Sequence, residues 1–315
     1  MSKTRIILTA ALAFATFFGV GMRNERTCKA YIGSFDNPRA FVLAIAVDEY
    51  DELEQRCQYG VHDAHRLADI LSENRGGDCR ILATGATLQN QPTKENILAA
   101  LEELSQNARE SDLVFVAFIG LWVNFDGETY WTPQDAKVSR DDSGNVKIEK
   151  ETFISEAEIK ARLKDLKARR VFYLSDVAVL TGDEPLLGER PNLRDWTNAD
   201  ASWELQTCSP GEFAYELSEV EGSPATRAFV EALSQAPNEN GDVVFRGDLD
   251  GDGVVTCLEA AIYTKRRTRE IIDKCKAPNP QTPRLIGSGE DFPLVALPKK
   301  EAKDEKAENP DGVSR

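Results

Sequence analysis

Histidine is almost missing from this chain of 315 residues. The two present, His62 and His65, sit together, and none occurs from 66 to 315. The six cysteines, Cys28, Cys57, Cys79, Cys208, Cys257 and Cys275, form no C-x-x-C pair. A zinc site of the usual ligand spacing is therefore unsupported. Cationic side chains are also in deficit: 38 Lys and Arg stand against 53 Asp and Glu, a formal net charge of −15. Phosphate binding needs clustered Lys and Arg, so the balance argues against nucleic acid as a partner. Beyond Met22 no stretch is apolar enough to cross a bilayer, and no internal repeat is apparent. What remains is an ordinary soluble composition, 41% hydrophobic and 29% charged, with room for one large domain or two small ones.

Lys3 and Arg5 precede an uncharged run from Ile6 to Met22. A positive start before an apolar stretch reads as an export signal or, if uncleaved, a membrane anchor over residues 1–22. Gly19 and Gly21 supply small residues where a signal peptidase could cut. Either outcome predicts an extracytoplasmic location: secreted, periplasmic or membrane-anchored, with membrane contact only through this segment. An even cysteine count then permits disulfides. Cys57 with Cys79, which flank the first long helix, is one candidate pair, and free buried thiols are the alternative.

Residues 41–47 (FVLAIAV) are continuously apolar, as expected for a strand buried on both faces. The spacing of Val61, Ala64, Leu67, Ala68 and Leu71 predicts a helix over 61–73. Arg80 to Ala83 reads as a short second strand. Thr93, after Pro92, is the expected N-cap of a helix lined by Ile97, Leu98, Leu101 and Leu104. Leu113 to Ile119 reads as a third strand. Residues 137–152, with Asp141, Asp142, Ser143 and Gly144, read as an exposed loop or hairpin. Ile159, Leu163 and Leu166 mark a helix, and Arg170 to Leu174 leads a fourth strand ending at Asp176. Thr181 to Asn198 reads as a long loop, Trp203 to Thr207 as a fifth strand, and Phe229, Val230 and Leu233 as a helix after Pro224. The tail 298–315 mixes Lys, Glu and Asp with no apolar face and reads as disordered.

Alternating strands and helices imply an α/β fold, a mostly parallel sheet flanked by helices on both faces. Sites in such sheets lie beyond the C-terminal ends of the strands, here just after Ile119, Asp176 and Thr207.

The run from Asp248 to Glu259 matches the twelve-residue, EF-hand-like calcium loop. Asp248, Asp250 and Asp252 fill positions 1, 3 and 5 with hard oxygen donors. Gly253 permits the sharp turn at position 6. Val254 would bind through its carbonyl, Val255 packs inward, Thr256 binds directly or through water, and Glu259 closes the site. Leu258, Ala261 and Ile262 mark the outgoing helix, whereas residues 242–246 (DVVFR) read as extended, so only half of the usual unit is present. The expectation is a Ca2+ clip rather than a sensor, since sensors rely on paired helix movement. An acidic surface turn is the bland alternative.

In order along the chain, RAFVLAIAVDEY, GVHDAHRLADIL, PTKENILAALEEL, DLVFVAFIG, DGETYWTPQDA, TCSPGEFAYE, the calcium loop and QTPRLIG resemble the caspase and metacaspase-like peptidases. The likeness is to the bacterial branch with a calcium-type loop near its end, and it spans about residues 38–297. It implies a caspase-like domain. The family's helix start usually carries Asn where His62 stands.

The resemblance also implies a loss. The family's catalytic histidine lies in Ser-Gly-His-Gly after the third strand, where this chain reads Ile119, Gly120, Leu121 and Trp122. Its catalytic cysteine follows Asp-Ala after the fourth strand, where this chain reads Asp176, Val177 and Ala178. Leu121 thus replaces the base and Ala178 the nucleophile, and neither side chain titrates. His62 and His65 lie on the first helix, and no cysteine is expected near Ala178. Ser175 would point away from Asp176 on an extended strand. Cys208 lies outside the dyad and is expected to be structural.

Asp63 and Asp176 match the residues that, in metacaspases, line a pocket for an Arg or Lys side chain. Each could instead tie down local structure. The expectation is a catalytically inactive, calcium-binding caspase-like protein that takes a basic peptide or protein partner. The alternatives are an active enzyme with non-standard catalytic residues and a purely structural exported protein.

Overall fold

The computed structural model describes residues 39–298 except 55, 126–127, 141–145 and 180–195. The expected signal or anchor at 1–22, Cys28, the turn of the 137–152 segment, nearly all of the 181–198 loop and the tail beyond 298 lie outside the described residues.

The chain begins with β1 (Ala40–Ala46), buried throughout as its apolar run predicts. Helix α1 (Gly60–Arg75) and strand β2 (Gly77–Ala83) follow. The second strand was expected only from Arg80. It starts at Gly77 because Ala40 to Ala46 pair in parallel with Gly77 to Ala83 along their whole length. Next come α2 (Lys94–Asn107) and β3 (Leu113–Phe125). Thr93 caps α2 by accepting the Asn96 N–H, as the sequence suggests. The third and fourth strands were expected to end at Ile119 and Asp176. Both run on, because β3 folds back into a hairpin with β4 (Glu128–Trp131) and stays paired to the later strand beyond those residues.

A small hairpin, β5 (Val138–Arg140) with β6 (Val146–Ile148), fills the polar middle. It is followed by β7 (Ile154–Ser155), α3 (Glu156–Leu163), β8 (Arg170–Val179) and β9 (Ala201–Gln206). Helix α4 (Pro224–Ala232) opens with Pro at its first turn and Ser223 as cap. The last part holds β10 (Gln235–Pro237), β11 (Val243–Phe245), β12 (Val254–Thr256), α5 (Cys257–Cys275), β13 (Arg284–Ser288) and β14 (Pro293–Ala296).

The main sheet runs β13-β9-β8-β3-β1-β2. The pairs from β9 to β2 are parallel, and β13 joins the edge antiparallel. Alternation along the strands divides the core in two. Phe41, Leu43 and Ile45 of β1 join Val114, Val116 and Phe118 of β3 against α2 and α3. Val42, Ala44 and Ala46 join Phe115, Ala117 and Ile119 against α1, α4 and α5. The second layer is centred on stacked Phe115, Phe172 and Phe229, with Phe172 at 5.4 Å from each of the others. Cys57 is a free thiol, so the candidate bond to Cys79 is not formed.

Candidate functional site

Past the end of β1, beside the C-terminal halves of β3 and β8, a cavity of about 310 Å3 opens. Ile119, Gly120, Leu121, Asp176 and Ala178 line it from the sheet, Asp63 from the first turn of α1, and Ala214, Tyr215, Glu216 and Ser223 from the segment before α4. In the parallel register of β3 and β8, Ile119 lies opposite Asp176 and Leu121 opposite Ala178. The two positions where the family's dyad would stand therefore face one another across a single strand pair. Leu121 is 4% exposed; its N–H donates to the Tyr50 hydroxyl at 2.8 Å, and its carbonyl accepts from the Thr132 N–H at 3.1 Å. A leucine and an alanine there offer neither a proton acceptor nor a nucleophile.

The structure also brings Asp63 and Asp176 to one wall. Asp63, 1% exposed, accepts the Ser223 N–H at 2.7 Å and the Arg66 guanidinium at 3.1 Å. Gly222 leaves room for this carboxylate, since a Cβ there would sit 2.5 Å from its Oδ1. Burial first, and then the neighbouring Asp176, push the Asp63 carboxyl up to about 7, against the Ser223 N–H and Arg66. Asp176 accepts hydroxyl bonds from Thr207 at 2.8 Å and Thr226 at 2.6 Å. Local structural ties and pocket lining thus coexist at both residues.

Two contributors were missed in the sequence. Glu216 reaches back to accept the N–H groups of Gln58 and Tyr59 at 2.8 and 2.9 Å. Burial leads in raising its carboxyl, and Asp176 and Asp48 add to it, against those two N–H groups. Only the fold places Glu216, 157 residues from Tyr59, at this wall. Asp48 in turn accepts the Val61 N–H and caps the start of α1 from outside the helix. A Cβ at Gly60 would come within 2.6 Å of that carboxylate.

The second is Cys57, and it corrects the expectation that no cysteine lies near Ala178: both line the same cavity. Burial, then Glu216, Asp48 and Asp176, push its thiol well above the ordinary range. A cysteine nucleophile needs the reverse, an electropositive setting that favours thiolate. The surroundings of Cys57 are the opposite of that setting. His62 and His65 are exposed on α1 and outside the cavity lining, and buried Cys208 is also outside it. A larger hollow of about 560 Å3 lies beside α2, but it holds none of these residues. Its Lys94 and Arg162 are paired with Glu158 and Glu102 at 2.8 and 2.7 Å.

At the expected calcium loop, carboxylate oxygens of Asp248, Asp250 and Asp252 lie within 4.8 Å of one another. Asp248 is held by the N–H groups of Gly251 and Gly253 at 2.7 and 2.9 Å. Gly253 takes φ +87°, the left-handed turn that position 6 requires, and Val255 is fully buried. Glu259 stands outside the aspartate group. Its carboxylate forms a capping box with Thr256 and also accepts the Leu249 N–H at 3.0 Å. The loop's short strand, β12, pairs with β14, with Val255 opposite Val295. The segment before the loop is β11, extended as expected. Three carboxylates in this hard-oxygen set suit Ca2+, with Val254, Thr256 and Glu259 as the further ligands the loop pattern assigns.

A family model for the caspase domain matches residues 39–246. The run from Asp248 to Glu259 lies beyond that span. A protein from Geobacter sulfurreducens has the same fold at a TM-score of 0.54 and 14% identity, over 83% of this chain and 98% of that one. Caspase-1 from Spodoptera frugiperda superposes at a TM-score of 0.50 and 12% identity, over 84% and 93%. A search of curated protein sequences returns no match.

Proposed function

Because this chain belongs to the caspase-domain family, we propose that it keeps the family's cleft as a binding site and does not cleave peptides. The observation that carries the reading is the pairing of Leu121 with Ala178 inside a cavity walled by Asp63, Asp176 and Glu216. The reacting groups are missing, while a pocket of negative charge remains. Buried carboxylates bind best a guest that returns the charge they lack, so a Lys or Arg side chain of a peptide or protein partner fits. The loop at Asp248, Asp250, Asp252 and Glu259 would hold Ca2+ and clip β12 to the outgoing helix α5. Lys3, Arg5 and the apolar run behind them support a place outside the cytoplasm.

The test is direct. The purified protein is assayed against a panel of Arg- and Lys-containing peptides, for cleavage and for binding. Binding without turnover is expected, and Asp176→Asn weakens it. Turnover above background that survives purification to homogeneity would sink the reading.

A further inference from the structure

The cleft's charges do not balance. Asp176 accepts from two threonine hydroxyls and Glu216 from two backbone N–H groups, all neutral donors. Asp63 has one cation in contact, Arg66 of its own helix. That guanidinium is shared: it also donates to the Glu221 carbonyl at 2.9 Å and lies 3.8 Å from the Glu221 carboxylate. From the segment before α1, Arg56 lines the cavity but pairs with Glu49 at 2.6 Å, and Cys57 brings an uncharged thiol. Asp48 adds a further carboxylate at the start of α1, and the exposed His62 lies beside Asp63 on that helix. Carboxylates on α1, on β8 and on the segment before α4 thus share a cavity whose lining guanidinium, Arg56, is paired with Glu49, while Arg66, in contact with Asp63, is divided with Glu221.

We propose that the cleft trades a proton for its cationic guest. Without a guest, the carboxylate group centred on Asp63 holds one proton. An entering ammonium or guanidinium replaces that positive charge, and the proton passes to solvent. This rests on the cleft reading given above. Burial and Asp176 lift Asp63 to about 7, which makes it the group that holds the proton near neutrality. Acid then drives the guest out by mass action.

Titration calorimetry of the full chain with an acetylated Ala-Arg amide, in buffers of differing ionisation enthalpy, reads both halves. Affinity should rise about tenfold per pH unit up to neutrality and level off above it. Close to one proton should leave per peptide on the acid side and none well above neutrality. Asp63→Asn should flatten the profile and abolish proton release. Asp176→Asn, which keeps the shape of the wall, should move the midpoint to lower pH, and it serves if Asp63→Asn does not fold. Binding that is independent of pH, or a midpoint unmoved in Asp176→Asn, overturns the exchange while leaving the cleft reading standing. No binding at any pH overturns the cleft reading and the exchange with it. A difference titration of guest-free protein against Asp63→Asn then decides the resident proton alone: a proton near neutrality present only in the native chain supports it, and identical curves refute it.

Discussion

Replacing Asp63 by Asn tests the physics of the cleft without any ligand. Asp63 is 1% exposed, and its carboxyl is raised from the usual 3.8 to about 7. The folded protein thus binds this proton more tightly than the unfolded chain. The sign follows: Asp63 contributes most to stability below pH 3.8, and that contribution is lost as pH rises to about 7. At about 1.4 kcal/mol for each tenfold change in proton affinity, the total loss is about 4 kcal/mol. Asparagine keeps an oxygen for the Ser223 N–H and has no charge to desolvate. Urea unfolding of both proteins at steps between about pH 4.5 and 8.5 gives the difference profile, which cancels groups common to both. The variant should gain on the native protein by up to about 1.4 kcal/mol per pH unit until neutrality, and then hold its lead. A difference that is flat across this range, or that grows only above neutrality, would refute the assignment of the raised carboxyl to Asp63.

Further expectations follow from the same geometry. Asp248→Ala should abolish the rise in Tm on adding Ca2+, and Glu259→Ala should do so while also lowering the calcium-free stability by roughly 0.5 kcal/mol, because the Thr256 N–H loses its partner in the capping box while Thr256 still caps α5; a native Tm unmoved by Ca2+ defeats the metal reading. Leu121→His combined with Ala178→Cys should place imidazole and thiol on facing strand positions, so alkylation of the new thiol at mildly acidic pH should be faster than in Ala178→Cys alone. Equal rates would show that the two side chains do not meet. Gly222→Ala should drive a methyl into the Asp63 carboxylate, loosening the segment before α4 and weakening any cationic guest, read as amide exchange at Ser223.

Local pattern made much of this molecule readable. The apolar run at 41–47 became β1, the helix period at Val61 to Leu71 became α1, and the Thr93 cap stands where its side chain predicted. The grouping of Asp248, Asp250 and Asp252 was legible because the three lie in one short run. The strand ends were less so: β3 and β8 continue past Ile119 and Asp176 because their neighbours supply hydrogen bonds there, which no local signal encodes.

The sequence by itself determined what is missing. Nothing that folding does can give Leu121 or Ala178 a titratable atom, and no histidine follows residue 65. Tertiary structure decided what remains. It set Leu121 opposite Ala178, gathered Asp63, Asp176 and Glu216 from distant segments into one wall, and brought Cys57 among them as a suppressed thiol. The reason is physical: composition fixes which atoms exist, but their proton affinity and partners depend on desolvation and on charges that only the folded chain brings together.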